Sequence, residues 1–139
     1  LGRKELLIVE GEKGIRLPNG LCLRYPNLRL TTDEEGAQEL IYDVRRGRTV
    51  TTTRIYGGKV VENVCQALAR IIIGDQLVRV SNRYKVAMTV HDAIGCIVPE
   101  ENAKEGLAYV EKCMRIRPDW APELPLDCEA GVGRSYGDC

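Results

Sequence analysis

The sequence predicts an α+β fold, an antiparallel sheet with helices packed on one face. Two observations carry that expectation. Strand-like alternations come in consecutive pairs joined by short turns, which marks hairpins rather than crossover connections. Two helical periodicities, one long and one short, interrupt the strands. The order is hairpin, hairpin, helix, hairpin, helix, strand, with no internal repeat or low-complexity segment, so 1–139 reads as one domain segment.

The elements follow in order. Residues 1–12 hold only a short apolar run, Leu6-Leu7-Ile8-Val9. Residues 15–25 read as two short strands joined at Pro18-Asn19-Gly20, a strong hairpin signal. Residues 31–36 are a polar loop. A second hairpin pairs 38–43 with 49–56 across Arg45-Arg46-Gly47-Arg48, its second arm rich in Thr and Val. Gly57-Gly58 breaks that pattern. From 59 to 80, Val60, Val64, Leu68 and Ile72 recur every four residues, and Val61, Cys65, Ile71 and Val78 widen the stripe, so a long helix is expected. Residues 81–83 end it.

Tyr84 to His91 alternates as a strand with Val86, Met88 and Val90 on one face, and a partner strand covers 94–98 after a tight turn at His91-Asp92-Ala93. Pro99 and two acids open a second helix carrying Ala103, Leu107, Val110 and Met114. A loop around Trp120 and a last strand at 126–131 complete the chain.

Composition narrows the function classes. The chain has 139 residues, enough for one core, with 44% hydrophobic and 29% charged residues. That is an ordinary globular composition and excludes a disordered chain. The run Ile71-Ile72-Ile73-Gly74 stops at Asp75, far short of the ~20 apolar residues that a membrane helix needs. A cytoplasmic location without membrane partners is expected. The start Leu1-Gly2-Arg3-Lys4 is neither an initiator methionine nor a signal peptide, so the chain reads as a piece of something longer.

The net charge is zero, which argues against a uniformly basic nucleic-acid coat protein. The charge is uneven, however. Arg45, Arg46, Arg48, Arg54 and Lys59 fall in one stretch without an acid, where a polyanion would meet the chain first. The six cysteines, Cys22, Cys65, Cys96, Cys113, Cys128 and Cys139, form no CxxC pair, and His91 is the single histidine. Zinc spacings are absent, and five of the cysteines sit in apolar patterns as small core residues, so reduced thiols are expected.

Two groups of residues can carry chemistry. His91-Asp92 is the one place where a histidine meets a carboxylate, held on a hairpin tip. Asp also serves turns for its own sake, so spacing leaves both roles open. Lys59, Asn63, Gln66 and Arg70 share a second face of the long helix. Amides can donate to base acceptors in a minor groove and cations can meet phosphates. A plain solvated face has the same pattern.

A resemblance joins these groups. The run Tyr56-Gly57-Gly58-Lys59-Val60-Val61-Glu62-Asn63 through Gln66 to Arg70 resembles the palm helix of phage-type family A DNA polymerases, relatives of DNA polymerase I. Met88-Thr89-Val90-His91-Asp92-Ala93-Ile94 is similar to that family's motif C hairpin. Gly131-Val132-Gly133-Arg134-Ser135-Tyr136-Gly137-Asp138 is similar to its C-terminal tail. Trp120-Ala121-Pro122 adds a phage-like feature, and the likeness spans about 13–138.

The resemblance implies that the chain is the C-terminal part of a polymerase palm, working in template-directed nucleotidyl transfer. By position, Asp92 matches a carboxylate that holds catalytic Mg²⁺, and His91 matches a histidine near the primer terminus. Asn63 and Gln66 match the pair that reads minor-groove acceptors common to all base pairs. Lys59 stands about where the family has an arginine, and Arg70 adds a cation on that face.

The implied partners are primer–template DNA, deoxynucleoside triphosphates and the rest of the polymerase, namely the fingers and the motif A part of the palm. A phage origin would place it in the host cytoplasm. Three departures from the pattern stand out, the first being that the Asn63–Gln66 spacing is one residue shorter than in the bacterial enzymes. Ala93 stands where motif C continues with glutamate, and neither a motif A aspartate nor a nucleotide-binding fingers helix is in the chain. Those departures also suit a non-catalytic palm remnant that grips duplex DNA, or one piece of a split polymerase. An unrelated hydrolase built on His91 and Asp92 lacks a nucleophile with a partner.

Overall fold

The computed structural model describes residues 6–11 and 14–139. The expectation drawn from Leu1, Gly2, Arg3 and Lys4 lies outside those residues. The chain divides into two compact units, Leu1–Leu68 and Ala69–Cys139, and the division falls inside the long helix. The class is α+β, with antiparallel strands and two α-helices. The hairpins do not merge into one sheet. Among the described residues every strand pairs only with its neighbours in sequence, which gives three separate small sheets.

In the first unit, β1 (Ile8–Val9), β2 (Ile15–Arg16) and β3 (Cys22–Leu23) form the first sheet. The Pro-Asn-Gly signal gives the expected turn, but each strand is only two residues long. Asn19 Oδ1 accepts the Leu21 amide at 3.1 Å, and Gly20 supplies a positive φ of 82°. Gly14 has φ +97°, and a Cβ there would stand 2.0 Å from the Leu23 carbonyl oxygen, so this position needs glycine.

The second sheet has the order β4 (Arg29–Thr32), β5 (Gln38–Arg46), β6 (Thr49–Ile55). The polar loop is shorter than its sequence suggests. Thr31 and Thr32 join β4, and Asp33 Oδ1 closes the turn by accepting the amides of Glu35 and Ala37 at 3.0 and 2.8 Å. The middle of the β5–β6 hairpin is braced by side chains. Asp43 accepts hydrogen bonds from Asn27 Nδ2 and Arg29 Nη1, both at 3.0 Å, and from Thr52 Oγ1 at 3.3 Å. Those donors hold its carboxyl below the ordinary carboxylate range, the Asn27 bond first and the Arg29 bond next.

Helix α1 (Gly57–Ser81) starts two residues earlier than the glycine pair predicts. The first helical amides have no intrahelical partner in any case, so glycines are tolerated there. The Val60 amide already donates to the Tyr56 carbonyl at 3.1 Å.

In the second unit the core forms around Val80, which is fully buried, with Ile71, Gln76, Tyr84 and Cys113 also buried. Strands β7 (Lys85–Val90) and β8 (Ala93–Ile97) form the third sheet, and a 3₁₀ turn at Glu100–Asn102 leads into α2 (Ala103–Met114). Gln76 Nε2 donates to the Met114 carbonyl, pinning the last turn of α2. The Tyr84 and Tyr109 rings meet edge to face at 5.6 Å, and the Arg83 guanidinium lies 5.3 and 5.2 Å from their centres while pairing with Glu105.

Gly106 is buried in α2 against Val98. A Cβ at 106 would lie 2.6 Å from Val98 Cγ1. Alanine gains about 1 kcal/mol of helix propensity there, but overpacking costs about 1–3 kcal/mol. Gly106→Ala is therefore expected to lower the melting temperature by a few degrees, and adding Val98→Ala to restore part of the loss. A rise in melting temperature for Gly106→Ala alone would contradict this packing.

The expected strand at 126–131 does not form. The Leu126 amide turns back to the Leu124 carbonyl at 2.9 Å, and the two backbone groups of Cys128 are claimed by side chains. Arg115 Nη2 donates to the Cys128 carbonyl at 3.0 Å, and Asp127 Oδ1 accepts the Cys128 amide at 2.9 Å while paired to Arg115 Nε at 2.8 Å. All six cysteines are free. Cys113 is buried as its pattern predicts, whereas Cys65 is exposed in spite of its place in the apolar stripe. No helix among the described residues is long and apolar enough to cross a membrane.

Candidate active-site turn and polar helix face

The β7–β8 hairpin closes through a two-residue turn, His91–Asp92, between the paired residues Val90 and Ala93. The register shifts between Val86 and Met88, so a bulge interrupts the simple alternation expected along β7. Gly95 lies opposite Met88, and a Cβ there would come within 2.8 Å of Met88 Cγ. The hairpin is thus locally adapted to carry Met88 across it.

His91 sits at φ 52°, one of two non-glycine residues with positive φ among the described residues. The β5–β6 hairpin reverses in the same way. Its two-residue turn, Gly47–Arg48, also has positive φ at the first position, and there the residue is glycine. Such turns favour glycine because a Cβ in the left-handed region costs about 1–2 kcal/mol. The chain keeps a histidine where glycine would relax the backbone. Strain retained at a tip is typical of a residue kept for its side chain.

His91 and Asp92 are both exposed, and neither side chain has a hydrogen-bond or ion-pair partner among the described residues. Asp92 is a single carboxylate. No group of three or more His, Cys, Asp and Glu side chains converges among the described residues. Mg²⁺ is held through one or two carboxylates together with waters and substrate phosphates. Asp92 therefore fits as one ligand of a divalent ion but does not make a two-ion site.

On α1 the predicted row is largely engaged within the first unit. Lys59 Nζ pairs with Glu62 Oε1 at 2.7 Å, and Gln66 Nε2 donates to the same oxygen at 3.2 Å. The Glu62 hydrogen bond pushes the Lys59 ammonium up from its ordinary value. Asn63 Nδ2 donates to Tyr25 Oη at 3.1 Å. Tyr25 in turn meets Tyr42 edge to face at 5.2 Å. Arg70 is exposed, falls in the second unit and has no partner among the described residues.

Sequence reading names the row but misses its organisers, Glu62 and Tyr25. Glu62 has a local signal, since it stands three residues after Lys59 and four before Gln66. Tyr25 has none, because its contact with Asn63 spans 38 residues. The second unit also has a shallow cleft of about 210 Å³ lined by Arg79, Asn82, Tyr109, Lys112, Cys113 and Ile116. None of the predicted site residues lines it.

The fold and site together define an α+β segment with a strained His–Asp hairpin tip and an amphipathic helix bearing amides and cations. The chain is similar to the protein named DNA polymerase of Bacillus phage SP02, with 37% identity over 129 residues, covering 88% of this chain and 19% of the relative. It thus spans about one fifth of the length of the curated relative that it matches. No family model matches the chain, and no solved structure does.

Proposed function

We propose that the chain is part of a DNA-directed DNA polymerase, the C-terminal portion of a family A palm, acting in template-directed nucleotidyl transfer. The observation that carries the reading is His91, a residue with a bulky side chain held at positive φ on a turn whose next residue is an unpaired, exposed aspartate. The likeness to a phage protein named DNA polymerase, which spans this turn and most of the chain, supports it.

In this reading Asp92 is one carboxylate ligand of Mg²⁺, with further ligands supplied from outside this segment. The bound ion would neutralise charge on the phosphates at the reacting centre. His91 lies beside the primer terminus and holds its position. Asn63 and Gln66 face the minor groove of the primer–template duplex, where the acceptors are nearly the same for every base pair. Lys59 and Arg70 meet phosphates. The Glu62 carboxylate gathers the Lys59 ammonium and the Gln66 amide on one oxygen before DNA arrives.

Gln66→Ala tests the minor-groove role. The variant of the complete polypeptide is expected to lower primer extension about tenfold, the loss of one hydrogen bond of about 1.4 kcal/mol. The loss should be similar on templates of different sequence. A strong dependence on template sequence would contradict reading through shared acceptors.

A further inference from the structure

The arginines of the β4–β5–β6 sheet are treated in two ways. Away from its tip each one is matched by a carboxylate. Arg29 Nη1 pairs with Asp43 at 3.0 Å, and Arg54 pairs with Glu39. At the tip Arg45, Arg46 and Arg48 are exposed and have no ion-pair or hydrogen-bond partner among the described residues. From Arg45 to Lys59 the sequence has no acid at all. Charge on an exposed strand edge also deters edge-to-edge pairing, but either sign serves that end, and a surface built for solubility intersperses both.

The register places these charges. Arg45 pairs with Val50 and Arg46 with Thr49, so the two arginines point to opposite faces of the ribbon. Arg48 lies in the turn between Arg46 and Thr49. The paired residues run from Leu40 and Ile55 at the base to Arg46 and Thr49 at the tip. At about 3.4 Å per residue the tip therefore stands about 20 Å beyond the buried Ile55. Thr49 and Thr53 add exposed hydroxyls that no described residue engages.

We infer that the β5–β6 hairpin is an arm that enters a groove of duplex DNA and grips phosphates on both walls. A two-stranded ribbon is of the width that the major groove admits. Cations on both faces and at the end match a partner that carries negative charge on two sides. An acidic protein surface presents its charge on one side and would leave Arg45 or Arg46 unmatched. The contacts go to the backbone and so are independent of sequence. The inference rests on the polymerase reading for its partner and adds a contact surface separate from the α1 row.

The test is binding of a fluorescent 20-base-pair duplex to the complete polypeptide, without nucleotide or Mg²⁺, over 50 to 200 mM salt. Each phosphate contact contributes about −0.9 to the slope of log K against log salt. The Arg45→Gln, Arg46→Gln, Arg48→Gln triple variant is expected to lose about 2.7 from that slope. Between the two salt concentrations its affinity should then fall about 40-fold less than that of the unaltered protein. The corresponding triple Lys variant should retain the slope, which separates charge from folding.

An unchanged slope in the Gln variant overturns the inference, as does a Lys variant as impaired as the Gln one. Competition by decaglutamate as effective as unlabelled duplex overturns it in favour of an acidic protein partner. The readout is independent of catalysis. A lost arm effect with Asp92-dependent synthesis intact removes the arm alone, whereas an intact arm effect with Asp92-independent synthesis removes the polymerase assignment.

Discussion

Asp92→Ala is expected to reduce primer extension by the complete polypeptide at least about 10³-fold while leaving duplex binding within about twofold. The size follows from the role proposed for the carboxylate. Removing a ligand from an ion that steadies charge at a transferring phosphate costs several kcal/mol of transition-state stabilisation, and about 4 kcal/mol corresponds to 10³ in rate. Binding should survive because the phosphate and groove contacts assigned here lie on other elements, α1 and the β5–β6 ribbon.

Folding should survive as well, since the Asp92 side chain is exposed and no described residue bonds to it. Asp92→Asn separates charge from shape. It keeps the side-chain volume, removes the anion, and should be nearly as inactive as alanine. Extension near the unaltered rate with either variant would remove Asp92 from the catalytic centre. Ala93 sharpens the experiment, because this hairpin offers no adjacent carboxylate to take over the role.

His91→Gly should move stability and activity in opposite directions. Glycine relieves a left-handed residue that costs about 1–2 kcal/mol, and part of that gain, about 0.5–1 kcal/mol, is offset by the greater freedom of glycine in the unfolded chain. A net gain of up to about 1 kcal/mol is expected, visible as a melting temperature a few degrees higher. Primer extension should fall about 100-fold, since loss of a group that positions the reacting end is worth that much.

His91→Ala is the necessary companion. It removes the imidazole but retains a Cβ at φ 52°, so it should lose activity without gaining stability. Glycine and alanine variants with equal melting temperatures would show that the turn is unstrained. Full extension by His91→Gly would show that the side chain serves the turn only.

The first and third hairpins illustrate what was legible. Pro18-Asn19-Gly20 and His91-Asp92 sit between apolar alternations, and short-range turn chemistry is enough to locate both reversals. The spacing of Val60, Val64, Leu68 and Ile72 likewise fixes α1 to within two residues at its start. At 126–131 the same kind of pattern fails. Apolar residues there alternate well enough for a strand, but Arg115 takes the Cys128 carbonyl from 13 residues away. Strand propensity is weak where no partner strand is offered, and a competing side chain decides.

The candidate site divides along the same line. His91, Asp92, Lys59, Asn63, Gln66 and Arg70 are visible as residue types at meaningful spacings, because i, i+4 and hairpin-tip relations are local. The conformation of His91 is not visible in that way, since nothing in the letters tells a left-handed histidine from an ordinary one. Nor is the fate of the arginines. Arg29, Arg45 and Arg54 look alike in the sequence, yet strand pairing sets Asp43 and Glu39 beside the first and last and leaves the tip unmatched. The sequence by itself determined the class, the hairpins, the helices and the list of chemically able residues. The tertiary structure decided which of them are neutralised, strained or left free, because those states depend on neighbours brought close only by pairing and packing.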